Sequence, residues 1–256
     1  MIYDKLPVVL LSTMAAEKST STNHMIASFI LSHRDEVKDM GITQLAEACY
    51  VGTGSISRFV REIGLSGFSE LRTLLNQSDF SMDHQFMDED AARKKNDLSA
   101  YIAKTVQRTA ESIDEAQLIK LCQDIHEYES VYALGMLKAE NAAVSLSTDL
   151  AMMSKPVITS AAYSDQLDIL QRAGKQDLIL IFSYTGSYFS SHSFREKEKR
   201  LLLPKIWMIT GKNENIPWFV NEVLLFESDS RREGHPFALE TAASLIAQEY
   251  AYRYNK

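Results

Sequence analysis

The sequence predicts an all-α domain followed by a layered α/β domain built on a five-stranded parallel sheet. Three observations carry this reading. Within residues 53 to 63, Ile56, Phe59, Val60 and Ile63 fall at i, i+3, i+4 and i+7, one apolar stripe at helical period. From Val131 onward, short apolar runs alternate with amphipathic segments. One of them, Leu178-Ile179-Leu180-Ile181-Phe182, is apolar on consecutive residues, which marks a strand covered on both faces and hence a parallel sheet.

The helix before that stripe is expected to start at a Thr43 cap, whose hydroxyl can accept an orphan backbone N–H, and to bury Leu45 and Ala46. Small Ala46 allows a close crossing. The pattern over residues 42 to 71 is that of a helix-turn-helix, in which the N-terminal part of the second helix enters the major groove. There, arginines and short hydroxyls reach phosphates and base edges. Thr53, Ser55, Ser57, Arg58 and Arg61 lie off the apolar stripe and are the expected DNA contacts. Gly54 costs about 1 kcal/mol of helix propensity relative to alanine. That suits either close approach of the helix backbone to the duplex or a frayed first turn. Gly64 ends the helix, and Phe68, Leu71, Leu74 and Leu75 form a third. A pair of ordinary amphipathic helices in an all-helical domain is the alternative.

Leu45, Ala46, Val51, Ser57-Arg58-Phe59, Ile63-Gly64-Leu65, Gly67-Phe68 and Glu70-Leu71 together resemble the RpiR-type bacterial regulators. The resemblance covers nearly the whole chain. It implies an N-terminal helix-turn-helix of three or more helices and a C-terminal sugar isomerase (SIS) domain. In two places this chain departs from the pattern. Tyr50 stands in the turn where the family has glycine, a costly place for tyrosine if the backbone is left-handed. Gly52-Thr53-Gly54 also replaces a better helix opening.

A chain of 256 residues with 45% apolar content can bury the cores of a small and a medium domain. Its net charge of −7 is unusual for a nucleic-acid binder, because phosphate neutralisation rewards basic proteins. Between Gly52 and Arg72, however, three arginines face two glutamates, a local balance of +1. Specific contacts and dimerisation must then supply the affinity. The two cysteines, Cys49 and Cys122, lack metal-ligand spacing and read as small core residues. The run Pro7-Val8-Val9-Leu10-Leu11 is too short for a membrane span, and a cytoplasmic location is expected.

Residues 76 to 97 are polar, with Asp88-Glu89-Asp90 ahead of Arg93-Lys94-Lys95, and mark the domain boundary. The expected division is a DNA-binding domain at 1–78, a linker and connecting helix at 79–105, and an SIS-type sensing and dimerisation domain at 106–256. A helical stripe of Tyr101, Ile102 and Val106 precedes a helix through Leu118, Leu121 and Ile125. Strands are expected at 131–134, 157–160, 178–183, 206–210 and 223–226. A final helix from about Phe237 to Tyr252 stacks Leu239, Ala243, Ile246 and Tyr250 on one side, for packing across a subunit or domain interface.

Ser183-Tyr184-Thr185-Gly186-Ser187 follows the most apolar strand and precedes a helix expected to run toward Lys199. Hydroxyls and backbone N–H groups at a strand's carboxyl end and a helix N-terminus suit an anion. A simple helix cap at Thr185 or Ser187 fits the same residues. The resemblance assigns Ser183, Thr185, Gly186 and Ser187 to the phosphate of a phosphosugar. At the first loop, Gly135-Met136-Leu137-Lys138-Ala139 lacks the family's second glycine and its serine. Lys138 can offer a charge toward an anionic ligand there, or be a solvated lysine at a helix start.

The histidines His24, His33, His84, His126, His192 and His235 show no triad or metal spacing, and neither His235 nor Glu240 completes an acid/base set. The expectation is therefore a transcriptional regulator of sugar metabolism, without cofactor or metal and not an enzyme. It would bind a double-stranded DNA operator and a phosphosugar effector, as a homodimer or homotetramer. A sugar-phosphate isomerase with an accessory helical domain and a regulator with a vestigial pocket are the alternatives.

Overall fold

The computed structural model describes residues 5–78, 90–189, 203–214, 216–228 and 231–255, which divide into two compact units. The first contains 5–78 and 160–172. The second contains the rest.

In the first unit, α1 (Lys5–Ala16) takes Pro7 in its opening turn, where a missing N–H costs nothing, and buries Leu6, Val9 and Leu10. Next come α2 (Thr22–Ser32), α3 (Arg34–Val37), α4 (Ile42–Ala48), α5 (Thr53–Glu62) and α6 (Phe68–Gln77). Ser21 caps α2 by accepting the His24 N–H at 3.1 Å, and Ile26, Ala27 and Ile30 face inward. α10 (Tyr163–Arg172) packs beside α1, and the Ser12 hydroxyl donates to the Ala161 carbonyl at 2.8 Å. Helix α4 is not capped by Thr43. It starts after Gly41, whose N–H donates to Gln44 Oε1 at 2.8 Å, so the side chain three residues on serves the orphan donor instead.

α4 and α5 end alike. After α5, Gly64 (φ 84°) and Leu65 donate their N–H groups to the Arg61 and Val60 carbonyls, a Schellman closure. After α4, Tyr50 (φ 55°) and Val51 donate to the Glu47 and Ala46 carbonyls in the same pattern. The left-handed position is thus imposed by the closure, although tyrosine occupies it. Tyr50 is 96% exposed, so its ring contributes no packing. Tyr50→Gly should raise stability by about 0.5 to 1 kcal/mol, the left-handed cost relieved less the extra freedom of an unfolded glycine. Urea titration of both proteins checks this, and a lower midpoint for the variant refutes it.

The second unit contains α7 (Ala91–Ser112), α8 (Glu115–Glu127), β1 (Ser130–Gly135), α9 (Lys138–Met152), β2 (Asp177–Phe182), β3 (Lys205–Thr210), β4 (Glu222–Leu225) and α11 (His235–Tyr254). Asp90 opens α7 by accepting the Ala92 and Arg93 N–H groups, which places Arg93, Lys94 and Lys95 inside the helix. Its buried stripe is Tyr101, Thr105 and Thr109, whereas Val106 is exposed. The strands form one parallel sheet in the order β1-β2-β3-β4, with Gly135 beside Phe182 and Phe182 beside Ile209. Leu178 through Phe182 are fully buried, as a sheet covered on both faces requires.

Among the described residues the sheet has four strands, not five. Of the segment 157–160 only Ile158 pairs with β1, exchanging hydrogen bonds with Val131 and Ala133. Pro156 ahead of it has no N–H to donate, the Val157 carbonyl accepts from the Ser147 hydroxyl, and the Ser160 carbonyl accepts from Gln166 at 2.7 Å. Helix α11 also differs from expectation. Ala238, Leu239, Ala242, Ala243, Ile246, Ala247 and Tyr250 bury more than one side of it against α7, α8 and α9 of its own unit. Its alanines permit that. At the far side of the sheet, buried Asp124 accepts from Trp207 Nε1 and Lys205 Nζ, so the charge is paired and hydrogen-bonded.

Candidate functional site

Two surfaces concentrate the chemistry, one in each unit. In the first, α5 buries Ile56, Phe59 and Val60 and has Ile63 just past its end, leaving Thr53, Gly54, Arg58 and Arg61 exposed and Ser55 and Ser57 half-buried. The five expected DNA contacts therefore share one helix and avoid its core stripe. Gly54 lies inside the helix, and nothing sits within 4 Å of where its Cβ would be. No packing constraint explains the glycine.

Sequence reading missed the neighbours of this face. Ser55, Arg58 and Glu62 line a cleft with Glu17, Thr22 and Asn23. The Asn23 amide donates to Glu17 Oε1 and to Glu62 Oε2, each at 2.8 Å. Glu62, one turn beyond Arg58, was visible as a helical neighbour, but Asn23 is 39 residues from Glu62 and carried no signal.

In the second unit, parallel register sets the carboxyl ends of β1, β2 and β3 side by side, so the turns after Gly135, Phe182 and Thr210 emerge along one rim. The β2 turn is held by its own backbone. Ser183 N–H donates to the Ile209 carbonyl at 3.1 Å, and Gly186 N–H to the Ser183 carbonyl at 3.0 Å. Those two donors are used internally rather than presented to a ligand. Gly186 has φ 69°, and a Cβ there would lie 3.2 Å from the Lys212 carbonyl, so the turn requires glycine. The Tyr184 carbonyl accepts from Gly211 N–H and from the Thr210 hydroxyl, both at 3.1 Å, and its ring stacks on His235 with centroids 3.4 Å apart.

Thr185 and Ser187 meet, their hydroxyls 2.7 Å apart, and both remain partly exposed. Ser183 is buried. The helix expected toward Lys199 falls on 190–202, outside the described residues, as do His84, His192 and residues 79–89 of the expected linker. On the β1 side, Lys138 is exposed at the first position of α9. Leu137 before it holds φ 53°, ψ −116°, a region ordinarily left to glycine, so the loop keeps an unusual backbone without the residue that tolerates it. Gly135 is forced by space, since a Cβ would stand 2.7 Å from the Ala139 backbone. Burial pushes the nearby Glu140 carboxyl above its ordinary pKa.

Among the described residues, no three His, Cys, Asp or Glu side chains gather as a metal site, and no helix is long and apolar enough to cross a membrane. Both cysteines are free and buried, and burial pushes the Cys122 thiol up to about 12.

Residues 10–81 match the helix-turn-helix domain of the rpiR family. The N-terminal domain belongs to that family. The Bacillus subtilis transcriptional regulator GlvR is 31% identical over 113 residues, 44% of this chain and 43% of that one. The matches span 62%, 43% and 61% of the lengths of three curated helix-turn-helix regulators. The Vibrio vulnificus NanR protein complexed with ManNAc-6P superimposes with a TM-score of 0.50 at 20% identity, covering 96% of this chain and 90% of that one. The sugar isomerase domain of an RpiR transcription factor from Sphaerobacter thermophilus gives 0.52 at 15% identity, covering 62% and 90%. The α/β unit that follows the rpiR-type domain thus has the SIS fold. The relatives are regulators.

Proposed function

We propose that the chain is a transcriptional regulator of sugar metabolism that binds an operator through α5 and senses a phosphorylated sugar or related metabolite at the rim of its SIS-fold domain. The observation that carries this is the combination in one chain of an rpiR-type helix-turn-helix, whose arginines stand off its core stripe, with a parallel sheet whose β2 turn gathers two hydroxyls. Thr53, Ser55, Ser57, Arg58 and Arg61 are the DNA contacts. Thr185 and Ser187 hold the anion, Ser183 and Gly186 shape the turn beneath it, and Lys138 adds charge from the β1 side. Residues 1–78 are the DNA-binding head, 79–105 the connection and 106–256 the sensing and dimerising part. The NanR complex with ManNAc-6P supports an effector of this chemical class. No step of isomerase chemistry is assigned to any residue. An effector switches the regulator only by binding its two arrangements with different affinity.

A head with a local charge of about +1 neutralises few phosphates, so the full chain should bind as a dimer to a pseudo-palindromic site with half-sites about one helical turn, or a multiple of it, apart. Footprinting on a duplex selected from a random library tests this. Tight protection of a single half-site by a monomer refutes it, and turnover of a phosphosugar by the purified chain would favour the isomerase reading.

A further inference from the structure

We propose that Asn23 is a positioning residue for DNA binding: its amide ties Glu62 to α2 and thereby keeps the Arg58 guanidinium open to a DNA phosphate or base edge. The inference rests on the reading of α5 as the groove-facing helix. Arg58 and Glu62 are one turn apart on α5, a spacing at which opposite charges meet. Elsewhere in this protein that spacing does produce ion pairs, Arg172 with Asp168 at 3.6 Å and Arg253 with Glu249, though with the acid first along the helix. Arg58 and Glu62 line the same cleft, yet among the described residues Arg58 makes no ion pair.

Glu62 Oε2 instead accepts one amide proton of Asn23 at 2.8 Å, and Glu17 Oε1 accepts the other. An asparagine amide has two N–H donors, and both are spent on these carboxylates. A neutral amide suits this task. A lysine would add a positive charge beside Arg58, and an aspartate would repel both glutamates. Free of Asn23, the Glu62 carboxylate can turn along its own helix to Arg58 and compete with DNA for the same guanidinium donors.

The test uses the full chain and a duplex selected by the wild-type protein from a random-sequence library, with affinity read by fluorescence anisotropy across a salt series. Asn23→Ala should weaken binding about tenfold, the scale of one arginine contact. If Arg58 touches a phosphate, the salt slope should also fall by about one. Adding Glu62→Gln to that variant should restore affinity to within about twofold, which no general loss of packing in the head would do. If Asn23→Ala lowers the melting temperature of the head, the neutral, near-isosteric Asn23→Leu, which also lacks the amide donors, takes its place and must show the same loss and the same rescue.

Wild-type affinity for the Asn23 variant, or failure of Glu62→Gln to rescue it, overturns the proposal. Arg58→Ala separates the two levels. If it binds DNA like the wild type, the reading of α5 itself fails. If it binds weakly while the Asn23 variants bind normally, only the positioning role is lost.

Discussion

Arg58→Ala and Arg61→Ala should each weaken operator binding while leaving the melting temperature unchanged. Both side chains are exposed on α5, away from Ile56, Phe59 and Val60, so truncation removes no core contact. The two losses should differ in kind. An arginine that reads a base edge costs about 1 to 3 kcal/mol and relaxes preference at one position of the site. One that meets a phosphate weakens all sequences alike and lowers the salt slope by about one. Arg58 lies three residues nearer than Arg61 to the hydroxyls of Ser55 and Ser57 and lines the cleft with Ser55, so Arg58 is the expected base reader and Arg61 the phosphate contact. The net charge of −7 sharpens this expectation, because little non-specific attraction remains to mask the loss of one cation. Competition titrations against specific and scrambled duplexes separate the two arginines. Undiminished affinity in both variants would mean that α5 is an ordinary helix of an all-α domain.

What the sequence disclosed follows from which constraints are local. The α5 stripe and the β2 run were legible because burial on one face, or on both, writes its period directly into neighbouring residues. Local patterning gave no comparable warning for 157–160, whose β propensity lost to Pro156 and to side chains that claim its carbonyls. Nor could it separate Thr43 from Gly41 as the cap, because either residue opens a helix and the choice lay in where Gln44 reaches. Helix α11 reads as one-sided in the sequence because alanine is neutral to hydrophobic patterning. In the fold, Ala238, Ala242 and Ala247 are packing surface. In the functional sites, residue types were visible but their partners were not. Thr185 and Ser187 stood two apart in the sequence and do meet, whereas the link from Asn23 to Glu62 and the stacking of His235 on Tyr184 depend on the tertiary fold.

The strongest test of the sensing site is the response of thermal stability to an anion. A phosphorylated sugar that binds only the folded chain stabilises it by RT ln(1 + [L]/Kd), about 2.7 kcal/mol at a hundredfold excess over Kd. Ser183→Ala with Thr185→Ala should abolish that stabilisation. Thr185 loses the hydroxyl that meets Ser187, and Ser183 loses a buried one, while the backbone bonds of Ser183 and Gly186 that shape the turn remain. Recognition must lean on hydroxyls and on whichever N–H groups the turn leaves free, since the Ser183 and Gly186 donors are already committed. Lys138→Ala should weaken the same response without removing it, because an exposed ammonium at the start of α9 adds attraction but fixes no geometry. Scanning calorimetry with phosphosugars, amino-sugar phosphates and inorganic phosphate decides among the outcomes. An equal shift in the double variant would move the site elsewhere on the rim. No shift with any of these anions for the wild type would make the β2 turn a structural one, and the β1 loop, with Leu137 held where glycine belongs, the remnant of a pocket no longer used.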